Sequence, residues 1–263
     1  MSGSKFFTLH SSFFIFLLMA CSHIGEEERL IYVKPEPAKR VVLLEDFTGQ
    51  KCVNCPTGTE VIEELQKTYG DTAIIAVGIH GGPLGFAGNA KFVGLATDMG
   101  DQYYEHWALE YQPVGLVDRH GAVKHTDWPT AVRAELAKPA PLEMDVDATW
   151  DNGQIYIMVS THGTDGWVEG KLQVWLVEDS ITAMQMMPDG SVNTEYVHNH
   201  VLRAAVNSLW GEDYTINEGE QKDQQLTFQP DAAWKPEHLS IVAFVYNAEG
   251  VMQAGKSRVK MKE

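Results

Sequence analysis

The sequence predicts an α/β domain followed by an all-β domain of the immunoglobulin-like sandwich class. Three observations carry this reading. The apolar run Val41-Val42-Leu43-Leu44 leads through a short turn into Cys52-Val53-Asn54-Cys55 and then into an amphipathic stretch ending near Tyr69. A second apolar run, residues 72–79, follows at once, which makes a strand–helix–strand unit. After Pro139-Ala140-Pro141 the pattern changes to two-residue alternation. The predicted division is residues 1–20 as a signal, 21–39 as a tether, 40–139 as the α/β domain and 140–263 as the β-sandwich.

The N-terminal segment reads as an export signal. Phe13 to Met19 is apolar, Lys5 supplies a thin positive start, and Ala20 precedes Cys21. The apolar stretch is short for a bilayer span. Leu18-Met19-Ala20-Cys21 resembles a bacterial lipobox, which implies lipidation at Cys21. Several acyl chains on one residue give a firm anchor, because each buried methylene contributes about 0.8 kcal/mol. By the same resemblance Ser22, rather than Asp, points to the outer membrane. Glu26-Glu27-Glu28 accompanies surface export in some lipoproteins, and a solvated tether explains it equally well.

In the α/β part, residues 40–47 form a buried strand and Thr48 to Lys51 turn into the cysteine motif. Val61, Ile62, Leu65 and Tyr69 recur on one helical face, and Gly70-Asp71 ends the helix. Residues 72–79 suit a parallel sheet covered on both sides. Residues 80–91 are glycine-rich but lack phosphate-loop spacing, so they form a loop near the site and no nucleotide cradle. Residues 98–110 read as a helix with Tyr103, Tyr104 and Trp107 as core. Pro113 stands at the start of a strand. Residues 118–121 turn, 122–125 return as a hairpin partner, and 129–138 close the domain as a helix.

In the second part, residues 142–150, 154–161 and 170–178 alternate as antiparallel strands, with Asp151-Asn152-Gly153 as a tight turn. Residues 226–229, 239–247 and 251–259 continue the pattern, with Glu249-Gly250 between the last two. Residues 195–210 are less regular. His198 and His200 would share one face of an extended segment, a chelating geometry, but no third ligand is secured. Core or inter-domain contacts are therefore the favoured reading of this segment.

Composition narrows the chemistry. A formal net charge of -16 opposes nucleic-acid binding. No cofactor motif is present. There are three cysteines, Cys21, Cys52 and Cys55. If Cys21 carries lipid, the remaining pair is either redox chemistry or one local staple, since no second Cys-x-x-Cys or spaced His pair completes a zinc site. At a helix start a thiolate is stabilised by unpaired backbone N–H groups. His80, at a strand end, could tune the sulfurs or bind a metal, and a polar loop residue is the plainer reading.

The α/β layout resembles the thioredoxin fold. Asp46 lies six positions before Cys52, Phe47 follows it, and Pro56 follows Cys55. That resemblance implies Cys52 as the attacking thiol, Cys55 as the resolving thiol, Asp46 as a buried proton acceptor and Pro113 as a cis proline facing the disulfide. Lys51 replaces the usual Trp, and Val53-Asn54 replaces Gly-Pro. The chain as a whole is similar to the Omp28-related outer-membrane lipoproteins, on Leu44-Glu45-Asp46-Phe47-Thr48-Gly49-Gln50, Cys52-Val53-Asn54-Cys55-Pro56 and His198-Asn199-His200-Val201-Leu202-Arg203. The resemblances imply a membrane-anchored thiol–disulfide oxidoreductase. Its partners would be exported protein or peptide thiols and disulfides, with a redox partner protein. The alternative is a non-catalytic outer-membrane binding or adhesion lipoprotein in which the pair is a structural disulfide.

Overall fold

The computed structural model describes residues 33–262; the signal and Cys21 lie outside the described residues. Two buried apolar strands, β1 (Val42–Thr48) and β2 (Ile74–His80), run parallel from Val42 opposite Ile74 to Thr48 opposite His80. Between them runs α1 (Cys55–Tyr69), which starts with a proline in its first turn and stops at Gly70, φ 95°. A residue that breaks the helix at positive φ is the ordinary glycine terminator. Next come α2 (Asp98–His106), capped by the Thr97 hydroxyl, then β3 (Val114–Val117), β4 (Ala122–Lys124) and α3 (Trp128–Leu136). One face of β1 and β2 buries Val42, Leu44, Ile74 and Ala76 against Ile62 and Leu65 of α1 and Trp128 and Val132 of α3.

The second half is all strand. It comprises β5 (Leu142–Asp151), β6 (Gln154–Gly163), β7 (Trp167–Glu178), β8 (Ile181–Met186), β9 (Val192–His198), β10 (Val201–Ala205), β11 (Glu212–Asn217), β12 (Gln221–Phe228), β13 (Leu239–Asn247), β14 (Gly250–Arg258) and β15 (Lys260–Met261). The β5–β6 hairpin turns through Asn152 and Gly153, φ 50° and 87°. Both are left-handed, the backbone that two-residue hairpins need to match strand twist.

The predicted fold class, a thioredoxin-like α/β domain followed by an immunoglobulin-like sandwich, is corrected by the sheet order. The molecule is mostly β, and strands of both halves share one mixed nine-stranded sheet, β14-β13-β7-β10-β2-β1-β3-β4, with β11 also on β7. The joint is β10, from the segment that reads as irregular in sequence. Val201 pairs with Gly78 of β2 in parallel and with Glu178 of β7 in antiparallel. The core crosses the same joint: Leu43, Ile75, Val77 and Ile79 pack in one cluster with Trp175, Val177, Val242 and Phe244. A four-stranded sheet, β12-β6-β5-β15, covers the β7–β13 end of the large sheet, burying Ile155, Ile157 and Val159 with Val174, Leu176 and Ile241. Hydrophobic periodicity reports which face of a strand is buried, not which neighbour it pairs with. Periodicity therefore predicts two separable folds where one continuous sheet exists.

Candidate functional site

The cysteine motif sits where β1 ends. Gly49 lies so close to the glycine-rich loop that a Cβ there would fall 2.3 Å from the Leu84 carbonyl oxygen, and Lys51 N–H donates to the same oxygen at 3.1 Å. The turn closes with Cys52 N–H on Gly49 O (3.0 Å) and Cys55 N–H on Cys52 O (3.3 Å). Cys52 and Cys55 form a disulfide at the start of α1. Lys51 is exposed, with its ammonium 5.6 Å from the Phe86 ring centroid. Pro113 follows a cis peptide bond and packs near Gly58 of α1, where an added Cβ would meet the Pro113 ring at 3.3 Å. Its neighbour Gln112 is committed inward: Nε2 donates to Thr48 O (2.7 Å) and Gly81 O (3.0 Å).

Both cysteines are sealed, at 1 % and 2 % exposure. The cover is the β8–β9 hairpin, which strand alternation in the sequence does not reveal. Gln185 of β8, itself buried, donates from Nε2 to Cys52 O (2.9 Å), Gly49 O (3.3 Å) and Met186 O (3.1 Å). Met186 N–H donates to Gln50 O at 2.9 Å. Buried Gln50 reciprocates, with Nε2 on Met184 O and Val93 O, each 3.0 Å, and its Oε1 accepting from Leu95 N–H at 2.8 Å. On β9, Tyr196 reaches Thr59 of α1. Ala183 packs with Leu95 and Val201. Thus the carbonyls of the cysteine loop that an extended partner chain could use are already taken by the protein's own hairpin.

Beneath the hairpin lies a cavity of about 60 Å³, lined by Asp46, Cys55, His80, Gln185, Tyr196 and His198 among others. It has room for a few waters. Asp46 and Cys55 therefore meet at one cavity, with His80 and His198 also on its wall. Burial raises the Asp46 carboxyl to about 7 and holds the His198 imidazole down at about 4. His80 is lowered well below its usual value by burial, and next by the neighbouring His198 and Arg203. The His80 and His198 rings stand edge to face at 5.3 Å between centroids. Asp46 Oδ1, His80 Nδ1 and His198 Nε2 are buried without a hydrogen-bond partner among the described residues. His198 and His200 do not share a chelating face, and His198 makes the buried contact preferred for it from the sequence. His200 takes a left-handed φ of 58° and pairs with Asp179 at 3.0 Å, while His198 turns inward. Among the described residues no cluster of three metal-ligating side chains occurs.

A family model described as outer membrane protein Omp28 matches residues 100–263. The chain belongs to the Omp28 family. Membership bears out the resemblance read from the sequence and places the protein at the outer membrane. Among the described residues no helix is long and apolar enough to cross a membrane. The matched span leaves out Cys52 and Cys55, so Omp28 membership says nothing of their chemistry. HBP35 of Porphyromonas gingivalis shares the fold, with TM-score 0.67 at 17 % identity over 84 % of this chain and 76 % of that one. A domain of the outer membrane lipoprotein Omp28 from the same organism aligns over 47 % of this chain and 92 % of that one, at 26 % identity and TM-score 0.36. No match was found among the curated proteins.

Proposed function

We propose that this Omp28-family protein is a non-catalytic binding lipoprotein of the outer membrane, in which Cys52–Cys55 is a structural disulfide. The observation that carries the reading is the seal over the pair. Exchange needs an attacking thiolate to reach a sulfur in line. Here both residues are buried, the loop carbonyls are bonded to β8, and the adjacent cavity is small, about 60 Å³. The disulfide closes a very short loop, for which the chain-entropy relation gives about 2 kcal/mol. It fixes the turn on which Gln185 docks. The Leu18 to Cys21 segment supports a lipid anchor at Cys21, with residues 21–39 as its tether.

The redox reading keeps one supporting observation: Asp46, raised to about 7, shares a cavity with Cys55. That placement suits a proton acceptor for a resolving thiol, with Cys52 as nucleophile. It requires the hairpin to leave first. Turnover of insulin disulfides and of scrambled ribonuclease separates the two readings. We expect the wild type and C52A to be equally inactive above the uncatalysed rate, and C55A to trap no mixed disulfide. Turnover that depends on Cys52 overturns the structural assignment.

A further inference from the structure

A second concavity lies apart from the cysteines and shares no residue with their cavity. It is an open cleft of about 910 Å³, within the range of small-molecule sites, roughly 300–1,000 Å³. Its walls are aromatic: Trp107, Trp167, Trp210 and Tyr246. Three of the four rings are held in place. Trp210 stacks on His106 at 4.2 Å and meets Tyr103 edge to face at 4.9 Å. The Tyr246 hydroxyl donates to Trp210 O at 2.7 Å, and the Arg119 guanidinium lies 4.2 Å from the Tyr246 ring and 5.8 Å from the Trp107 ring. Trp167, by contrast, is 63 % exposed at the start of β7. A large ring left in water beside a cleft is informative, where a scattered exposed residue is not.

The polar groups of the cleft are incomplete. Arg119 also lines it, with a side chain only 2 % exposed. It is presented by two successive left-handed residues, Asp118 (φ 47°) and Arg119 (φ 63°). Its Nε and Nη2 are spent on Glu45, at 3.1 and 3.0 Å. Its Nη1, and the indole Nε1 of Trp107, are buried and have no hydrogen-bond partner among the described residues. Both atoms lie beneath the cleft surface, the guanidinium against the Trp107, Trp175, Phe244 and Tyr246 rings, so the cleft offers a ligand aromatic faces over a buried, neutralised cation.

Charge narrows the ligand further. Glu45 neutralises Arg119, and Asp213 neutralises Lys171 at 2.8 Å. Glu169 and Glu249, also in the lining, make no ion pair among the described residues. The local balance is therefore negative, and it opposes a carboxylate or phosphate ligand. What fits is a molecule with apolar C–H faces for the negative ring faces and hydroxyls for the carboxylates. We propose that this cleft binds a neutral oligosaccharide, stacked on Trp167 and Trp210 with its hydroxyls on the Glu169 and Glu249 carboxylates. The inference deepens the binding reading above and rests on it.

The test uses the full chain in detergent, with maltotriose, cellotriose, mannotriose and triacetylchitotriose as neutral probes. A galacturonic acid trimer and a tryptic casein digest serve as acidic and peptide controls. Binding is read by tryptophan fluorescence, calorimetry and saturation-transfer NMR. We expect one or more neutral probes to bind, and W167A to weaken that binding about tenfold or more, the loss of one stacked ring. Trp167 is exposed, so W167A keeps the wild-type circular dichroism and melting temperature. Binding by none of the neutral probes, or binding that W167A leaves unchanged, overturns the inference. Preference for the acidic trimer or the peptides, sensitive to W167A, overturns the neutral-oligosaccharide assignment and leaves the binding reading standing. Cys52-dependent turnover, measured separately, removes the binding reading itself.

Discussion

Asp46 shows what a buried carboxyl does to this molecule. It lies on β1 opposite Gly78, almost without exposure, and its Oδ1 has no partner among the described residues. Desolvation alone raises it to about 7 from an ordinary 3.8. The sign of the linkage follows. Between about pH 4 and 7 the native state keeps a proton that the unfolded chain has released. The stability from the protonated form is complete below the ordinary value and is lost as pH rises through 7. Asp46→Asn removes that dependence. We expect its stability relative to wild type to improve between pH 5 and pH 8.5, by on the order of 2–4 kcal/mol, because each tenfold gain in proton affinity on folding is worth about 1.4 kcal/mol. Thermal or urea unfolding at the two pH values checks this, and a difference that does not change with pH refutes it. His198, held at about 4 by burial, acts in the opposite sense, its stabilising neutral state being lost as pH falls toward 4. The comparison must therefore be made between variants and not within the wild-type curve.

At the scale of elements, the β8–β9 hairpin decides how the cysteine pair behaves. Gln185 is its latch, because one amide serves the carbonyls of Cys52, Gly49 and Met186. Gln185→Ala removes the amide that ties β8 to the cysteine loop while Gly49 O and Cys52 O keep their turn bonds, at a cost of about 0.5–1.5 kcal/mol for a lost net hydrogen bond. We expect the hairpin to open more often and the disulfide to be reduced by a phosphine several-fold faster. Maleimide labelling after brief reduction under native conditions reads that rate, and an unchanged rate would show that the latch does not control access. In the sequence β1, α1 and β2 are legible, because their apolar runs, Pro56 and Gly70 are strong local signals. The hairpin is not, although Pro188-Asp189-Gly190 is a turn signature. Asp189 accepts from Ser191 N–H there at 2.9 Å, and Met187 N–H bonds Ser191 O at 2.8 Å. Its strands alternate weakly, since much of what β8 and β9 bury is polar: Gln185 and His198. Such residues are dictated by the site they cover and not by a core. The cysteines can be named from their own motif, and Asp46 and Pro113 from the thioredoxin resemblance; Gln50, Gln185 and Tyr196 follow from neither.

At the scale of the molecule, the joint at Val201 governs cooperativity. Val201 is fully buried, faces Gly78 on one side and Glu178 on the other, and follows His200, whose carbonyl accepts from Gly78 N–H at 2.8 Å. Across this line the aromatic cluster of Trp175, Phe244 and Tyr103 packs on the apolar face of β1 and β2. Were the halves held only by a linker, each would keep its own transition, as loosely joined domains do. A shared sheet with a shared core instead makes each half the partner of the other's buried strand edge. We expect tryptophan fluorescence and far-ultraviolet circular dichroism to report one coincident urea transition. Val201→Asp places an unpaired charge in the joint, a change that destabilises by several kcal/mol. Its effect must reach both halves: exchange protection of amides in β1 and β2 falls together with that in β7 and β13. If V201D loosens β10 while β7 and β13 keep wild-type protection, the two halves are energetically separate and the continuous sheet is a contact rather than a common core.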